Sequence, residues 1–240
     1  MQPLFFYFDD NILVYCGMSL SAWTEDCEIY IDHFSNLSSA QLLDAILAAS
    51  SWFWSDDERF KKMMHNLKEA RRQTVQKAFE NLESEGITMP TQEVANTIAD
   101  YFTHRREELI YPFSGALETL RELKKRGTPL SLITNSNAQV QQRKIDRFHL
   151  EKYFDNIIIS GAFGYDKPDF RIFQHALDFY DIDGDNASLA TMIGDSLKSD
   201  IYGASQLGIR TIWNDWQKAG LPQNAPAKPD RIIHSIQEIL

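Results

Sequence analysis

Short strand-like runs recur along the chain at residues 4–8, 130–134, 156–160, 189–193, 210–213 and 231–234. Several are apolar throughout rather than alternating, the pattern of strands buried on both faces of a parallel sheet. Helical patterns separate most of them. In residues 115–125, Ala116, Leu117, Leu120 and Leu123 share a helical face, and Gly127 supplies a stop. Residues 170–180 and 200–207 carry the same period, the second ending near Gly208. Ser235 and Glu238 have capping-box spacing for a terminal helix. Strands alternating with helices predict an α/β fold with a doubly wound, mostly parallel sheet.

The alternation stops between about residues 16 and 110, which contain no strand-like run. Ser38 with Gln41, and Ser55 with Glu58, fit capping boxes. Residues 58–85 are rich in Lys, Arg, Glu, Met and Leu, with Gly86 as a stop, and predict one long helix. Thr91 is placed to cap a further helix running to about Leu109. The expected organisation is therefore an α/β core from residues 1–15 and 111–240, with a helical cap domain of residues 16–110 inserted after the first strand. Ligands of open α/β sheets bind beyond the carboxyl ends of the strands, so an insertion leaving that edge is expected to act as a lid. The proline-containing stretch 221–229 predicts a loop before the last strand.

Composition narrows the function classes. The chain has 240 residues, 43% hydrophobic and 24% charged, with a formal net charge of −10. That charge argues against a broad nucleic-acid surface. It leaves room for a phosphorylated ligand, because a local lysine and backbone N–H groups hold an anion whatever the overall charge. No apolar stretch approaches the ~20 residues of a membrane span, and no basic-then-apolar leader opens the chain. A cytoplasmic protein without a membrane partner is the expectation. Cys16 and Cys27 read as isolated thiols. The six histidines form no zinc-like spacing, and nothing in the sequence bears on oligomeric state.

Two turns carry candidate chemistry. Residues 192–193 end in Gly194-Asp195, with Asp200 five positions on. A carboxylate at the end of a buried strand suits Mg²⁺, a hard cation that prefers oxygen, and a second can ligate directly or orient metal-bound water. Leu132-Ile133 end in Thr134-Asn135-Ser136, where the Thr134 hydroxyl and the Asn135 N–H can donate to a phosphate. Between them, Lys167 precedes Pro168 and supplies a point charge. Each signal is weak alone; a capping Asp, a polar turn and a surface lysine are common. Trp52, Trp54, Arg59 and Lys62 are candidates for ligand selection in the helical stretch, although aromatic residues at such spacing more often form core.

The order of the elements is informative. An Asp-rich turn after the first strand, a helical insertion, Thr134-Asn135-Ser136, Lys167-Pro168-Asp169, then Gly194-Asp195 followed by Asp200 resembles the haloacid dehalogenase-like hydrolase superfamily over the whole chain. Residues 111–116 also run like its phosphatase members. The resemblance implies a Rossmann-like core, a helical cap, Mg²⁺ as cofactor and a small phosphorylated metabolite as substrate. In that superfamily the first of two aspartates attacks phosphorus and the second acts as acid and base. Carried over, Thr134, Asn135 and Lys167 bind phosphate, Asp9 is the acid/base, and Asp9, Asp195 and Asp200 form the metal shell.

The first strand departs from the family pattern. The best alignment lies on Phe6-Tyr7-Phe8-Asp9-Asp10-Asn11-Ile12 and puts Tyr7 in the nucleophile position. A neutral phenol of pKa near ~10 is a poor phosphoryl acceptor and brings no carboxylate to a metal. A shift by two makes Asp9 the nucleophile and Asn11 the acid/base, which cannot shuttle a proton. Strand parity does not choose, because Tyr7 and Asp9 share a face. Three functions follow: a Mg²⁺-dependent phosphomonoester phosphatase, impaired at Tyr7; a catalytically silent phosphate-ligand-binding protein; or a 2-haloacid dehalogenase-type hydrolase.

Overall fold

The computed structural model describes residues 2–240. They divide into two compact units, one made of Met1–Val14 with Tyr111–Leu240 and the other of Tyr15–Ile110.

In the first unit a six-stranded sheet runs in the order β5-β4-β1-β6-β7-β8, every pairing parallel. The strands are β1 (Leu4–Phe6), β4 (Leu130–Thr134), β5 (Asn156–Ile159), β6 (Thr191–Gly194), β7 (Arg210–Asn214) and β8 (Arg231–Ile233). All six fall on the strand-like runs of the sequence, and the fold is the α/β class they predict. A second pairing, β2 (Leu13–Val14) with β3 (Tyr111–Pro112), is antiparallel and only two residues long, too short for any periodicity to announce it.

Helices α6 (Ala116–Lys125), α7 (Ala138–Arg147), α8 (Ser160–Phe163) and α9 (Phe170–Asp178) connect the strands, with a short α10 (Gly203–Ser205) before β7. Helix α9 shows how the sheet is covered. Asp169 caps it by accepting from the Arg171 N–H, and Ile172, Phe173, Ala176 and Leu177 form its buried face. They join Phe5, Ile133, Ile158 and Met192 in one core cluster. Each large apolar side chain so buried contributes roughly 1.5–3 kcal/mol. Strand β1 is central, flanked by β4 and β6, and the chain turns outward on either side of it. The carboxyl ends of these three strands form the topological switch point at which open α/β sheets bind ligands.

The second unit is helical: α1 (Ser19–Tyr30), α2 (Ser39–Trp54), α3 (Asp57–Met63), α4 (Leu67–Ser84) and α5 (Gln92–Leu109). Its core gathers Trp23, Ile46, Val75, Phe79, Ile98 and Phe102, with Trp23 stacked on Phe102 at 3.6 Å between centroids. The Ser38–Gln41 capping box forms. Three local expectations need correction. The cap of α3 is Asp56, which accepts from the Arg59 N–H, rather than Ser55. Thr91 precedes α5 but makes no side-chain cap bond. The single helix expected over residues 58–85 breaks between α3 and α4, where Asn66 leaves helical geometry (φ −132°, ψ 60°). Asn readily competes with the helical backbone, so a break there is cheap.

Cys16 and Cys27 are both free thiols, the first exposed and the second buried. No helix among the described residues is long and apolar enough to cross a membrane.

Candidate functional site at the carboxyl ends of three strands

Tyr7 is the first residue past β1, and its N–H donates to the Ile193 carbonyl at 2.9 Å. The backbone then folds tightly. Asp10 adopts a left-handed conformation (φ 54°), and the Asp10 N–H donates to the Leu13 carbonyl at 2.7 Å. Asp9, Asp10 and Asn11 are all buried in this turn. Asn11 holds it to the sheet: its amide donates to the Tyr7 and Ile193 carbonyls, and its own carbonyl accepts from the Asn214 amide at 2.9 Å.

The second turn centres on Lys167, which is fully enclosed. Its Nζ donates to Asp200 Oδ1 at 2.6 Å and to the Ile133 carbonyl at 2.8 Å, and lies 3.8 Å from the centre of the Tyr7 ring. Burial pulls this ammonium below the usual lysine range, and the charge of Asp200 works against that. Asn135 locks the backbone of the same residue, accepting from the Lys167 N–H at 2.8 Å and donating to the Lys167 carbonyl at 2.9 Å. Asp200 uses its other oxygen to accept from the Ser196 N–H at 3.0 Å, which ties the loop after β6 to Lys167. The turn Leu197–Tyr202 winds with wide, π-type spacing where the sequence predicts a plain helix. A Cβ on Gly194 would collide with the Asp200 carboxylate, so only glycine fits before Asp195.

Asp195 itself keeps one buried oxygen, Oδ1, without a hydrogen-bond partner. Burial first, then the charges of Asp200 and Asp10, push its carboxyl well above the ordinary range. Asp9 faces a different set of groups. Lys144 Nζ reaches both of its oxygens, at 2.7 and 2.9 Å, and Gln141 Nε2 donates to Oδ2 at 3.0 Å. The same Gln141 nitrogen donates to Thr134 Oγ1 at 2.9 Å. Asp9 and Thr134 are thus bridged through α7.

The structure therefore brings Tyr7, Lys167, Asn135 and Asp200 into one contact network, with Asp195 beside Asp200. It places Asp9 and Thr134 in an adjoining network built on two residues absent from the sequence reading, Gln141 and Lys144. The fit to a divalent cation is poor. Asp9 is paired with Lys144 and Asp200 with Lys167, while one buried oxygen of Asp195 has no hydrogen-bond partner. Among the described residues, no group of three or more His, Cys, Asp or Glu side chains converges to hold a metal ion. The residue directly after β1, Tyr7, carries a phenol rather than a carboxylate.

The family described as haloacid dehalogenase-like hydrolase matches residues 54–214, more than half of the chain. The chain belongs to this family. The matched stretch begins after β1 and so does not include Tyr7 or Asp9. Among curated relatives, a glyceraldehyde 3-phosphate phosphatase of Pyrococcus furiosus is 36% identical over 140 residues, 58% of this chain and 55% of its own length. A phosphoserine phosphatase of Thermus thermophilus is 34% identical, over 58% of this chain and 53% of its own. The chain thus spans about half the length of the curated relatives it matches. The solved HAD-hydrolase YfnB of Bacillus subtilis, bound to magnesium, superposes with a TM-score of 0.70 at 20% identity, covering 99% of this chain and 96% of that one. A 2-haloacid dehalogenase of Pseudomonas syringae gives 0.60 at 26% identity, covering 100% and 96%. Family membership accounts for the sheet order and the switch-point site; it does not account for Tyr7.

Proposed function

We propose that this haloacid dehalogenase-like chain is a phosphatase-type protein that binds a small phosphorylated metabolite in the cytoplasm and hydrolyses it slowly or not at all. The observation that carries the reading is Tyr7, directly after β1, with its ring under Lys167 Nζ at 3.8 Å. A phosphatase of this type needs a carboxylate there to attack phosphorus and share a metal. A phenol with a pKa near ~10 supplies neither. The cationic Lys167, the turn after β4 and the loop after β6 remain, which supports retained binding of an oxyanion. The helical unit would act as the cap.

Mg²⁺ enters this reading only when a carboxylate is restored. The experiment is a phosphate-ester panel assayed with and without Mg²⁺ on the natural chain, Tyr7→Asp, Tyr7→Phe and Asp9→Asn. We expect negligible turnover by the natural chain and by Tyr7→Phe, and Mg²⁺-dependent hydrolysis by Tyr7→Asp. Robust hydrolysis by the natural chain that survives Tyr7→Phe and disappears in Asp9→Asn sinks the proposal and makes Asp9 the nucleophile. The likeness to a 2-haloacid dehalogenase motivates a second arm with 2-chloropropionate. Halide release by the natural chain would replace the phosphate reading with carbon–halogen hydrolysis.

A further inference from the structure

A cavity of about 320 Å³ opens within the helical unit, lined entirely by residues between Tyr15 and Arg106. Its walls are aromatic: Trp23, Trp54, Phe60 and Phe102 all contribute. Two arginines line it as well, together with the hydroxyl side chains of Ser19, Ser50 and Thr74. Arg71, from α4, is only 6% exposed. Arg106, from α5, has a buried Nε with no hydrogen-bond partner. Neither forms an ion pair among the described residues.

The partners they do have leave most of their donors unused. Arg71 makes one long bond, 3.4 Å to the Tyr15 hydroxyl, and its face lies 5.2 Å from the Phe102 ring. Arg106 stacks on Tyr15 at 3.7 Å, lies 5.9 Å from the centre of the Phe102 ring and reaches Cys16 Sγ at 3.9 Å. Aromatic rings thus hold the faces of both guanidiniums, while the N–H groups lie in the plane of each fork. Burying a cation without a carboxylate costs stability, and proteins tolerate that cost where a ligand supplies the missing charge. Burial pulls Arg71 below its usual range, and the attraction of Tyr15 and Glu107 offsets this in part. Of the candidates suggested by the sequence, Trp54 lines the cavity, whereas Arg59 stacks on Trp52 at 3.8 Å and donates to the Trp52 and Phe53 carbonyls, closing the turn between α2 and α3.

We propose that this cavity is a receptor site for a small organic anion, with an oxyanion head, carboxylate or phosphate, held by Arg71 and Arg106 and an aromatic or apolar body against Trp23, Trp54, Phe60 and Phe102. The volume suits a single-ring compound. Every residue of the site lies in the helical unit, so it does not depend on what Tyr7 and Asp9 do.

The test is calorimetric titration of the full chain with phenylacetate, phenyl phosphate and the neutral 2-phenylethanol. Charge-assisted bonds of this kind are each worth about tenfold in affinity. The expected result is saturable binding of at least one anion, weakened about tenfold or more in both Arg71→Met and Arg106→Met, with the neutral alcohol weaker than the anion. The carboxylate and phosphate arms identify the head. Because Arg71 is an uncompensated buried cation, Arg71→Met should unfold at the same or a higher temperature than the natural chain, whereas a residue kept for structure alone would lower it. If Arg71→Met does not fold, Arg106→Met decides. Three results overturn the proposal: no saturable binding of either anion, equal binding of the alcohol, or affinities unchanged in the Arg variants. Phenyl phosphate binding that survives both Arg variants but is lost in Thr134→Val also overturns it, while leaving the core's own phosphate reading intact.

Discussion

Asp26 sits fully buried in α1 with neither carboxylate oxygen hydrogen-bonded. Burial first, and the neighbouring charge of Glu25 second, push its carboxyl up to about 8. The folded chain therefore keeps this proton up to about pH 8, while the unfolded chain releases it near 3.8. Between those values the folded state binds more protons than the unfolded state, so stability falls as pH rises, by at most about 1.4 kcal/mol per pH unit. Below 3.8 both forms are protonated and the penalty is absent; above about 8 it is complete and no longer changes. Asp26→Asn cannot ionise. We expect its midpoint in urea to be flatter than the natural chain's from pH 4.5 to 7.5, and higher at the upper end. Parallel pH profiles for the two proteins would refute the assignment. A lone buried acid of this kind was invisible in the sequence, where Asp26 is one of several acidic residues on a helix whose buried positions, Ala22, Trp23 and Cys27, are otherwise apolar. By contrast Gly194, Asp195 and Asp200 stand out in the sequence as a glycine and an acid at the end of an apolar run with a second acid five positions on, although a capping Asp gives the same pattern in isolation.

Helix α7 shows the limit of periodicity at the scale of one element. Its inward face carries Gln141 and Lys144, one turn apart, where an ordinary amphipathic helix would carry Leu or Ile. A search for apolar spacing therefore passes over it, and with it the two residues that position Asp9 and Thr134. Strands β4 and β6 were readable for the opposite reason: every one of their residues is buried, so they are written mainly in apolar residues. The polar face of α7 has an energetic signature. Lys144 and Asp9 form a buried ion pair, with side chains 6% and 7% exposed. Removing one partner leaves the other charged and unsolvated. We expect Lys144→Met to lose roughly 3–5 kcal/mol of stability, and the double change Lys144→Met with Asp9→Leu to recover a large part of it. Urea unfolding of the two single variants and the double variant measures this. Additive losses would mean that the pair is not coupled as its geometry implies.

At the scale of the whole molecule, the chain leaves the α/β unit at Val14 and returns to it at Tyr111, and these two residues lie opposite each other in the β2–β3 ladder. Leu13 faces Pro112, and the Phe113 N–H donates to the Ile12 carbonyl at 2.9 Å, so the junction is already the open end of a hairpin. Two residues in a type I′ turn can close such an end, and Asn-Gly is the pair that does so with least strain. The α/β unit also owns a complete buried cluster, built on Phe5, Ile133, Phe173 and Met192, to which the helical stretch contributes nothing. Replacing residues 15–110 by Asn-Gly should therefore give a chain of about 146 residues, a size at which single domains commonly fold alone. We expect it to unfold cooperatively in urea, with a far-ultraviolet spectrum richer in sheet than that of the natural chain. Its slope against denaturant should be smaller, in proportion to the surface removed. It should also lose the anion site of the helical unit while retaining the network of Lys167 with Asp200. A collapsed product with no cooperative transition would show that the sheet depends on the inserted helices for its order, and that the hairpin at Val14 and Tyr111 is a consequence of the insertion rather than its support.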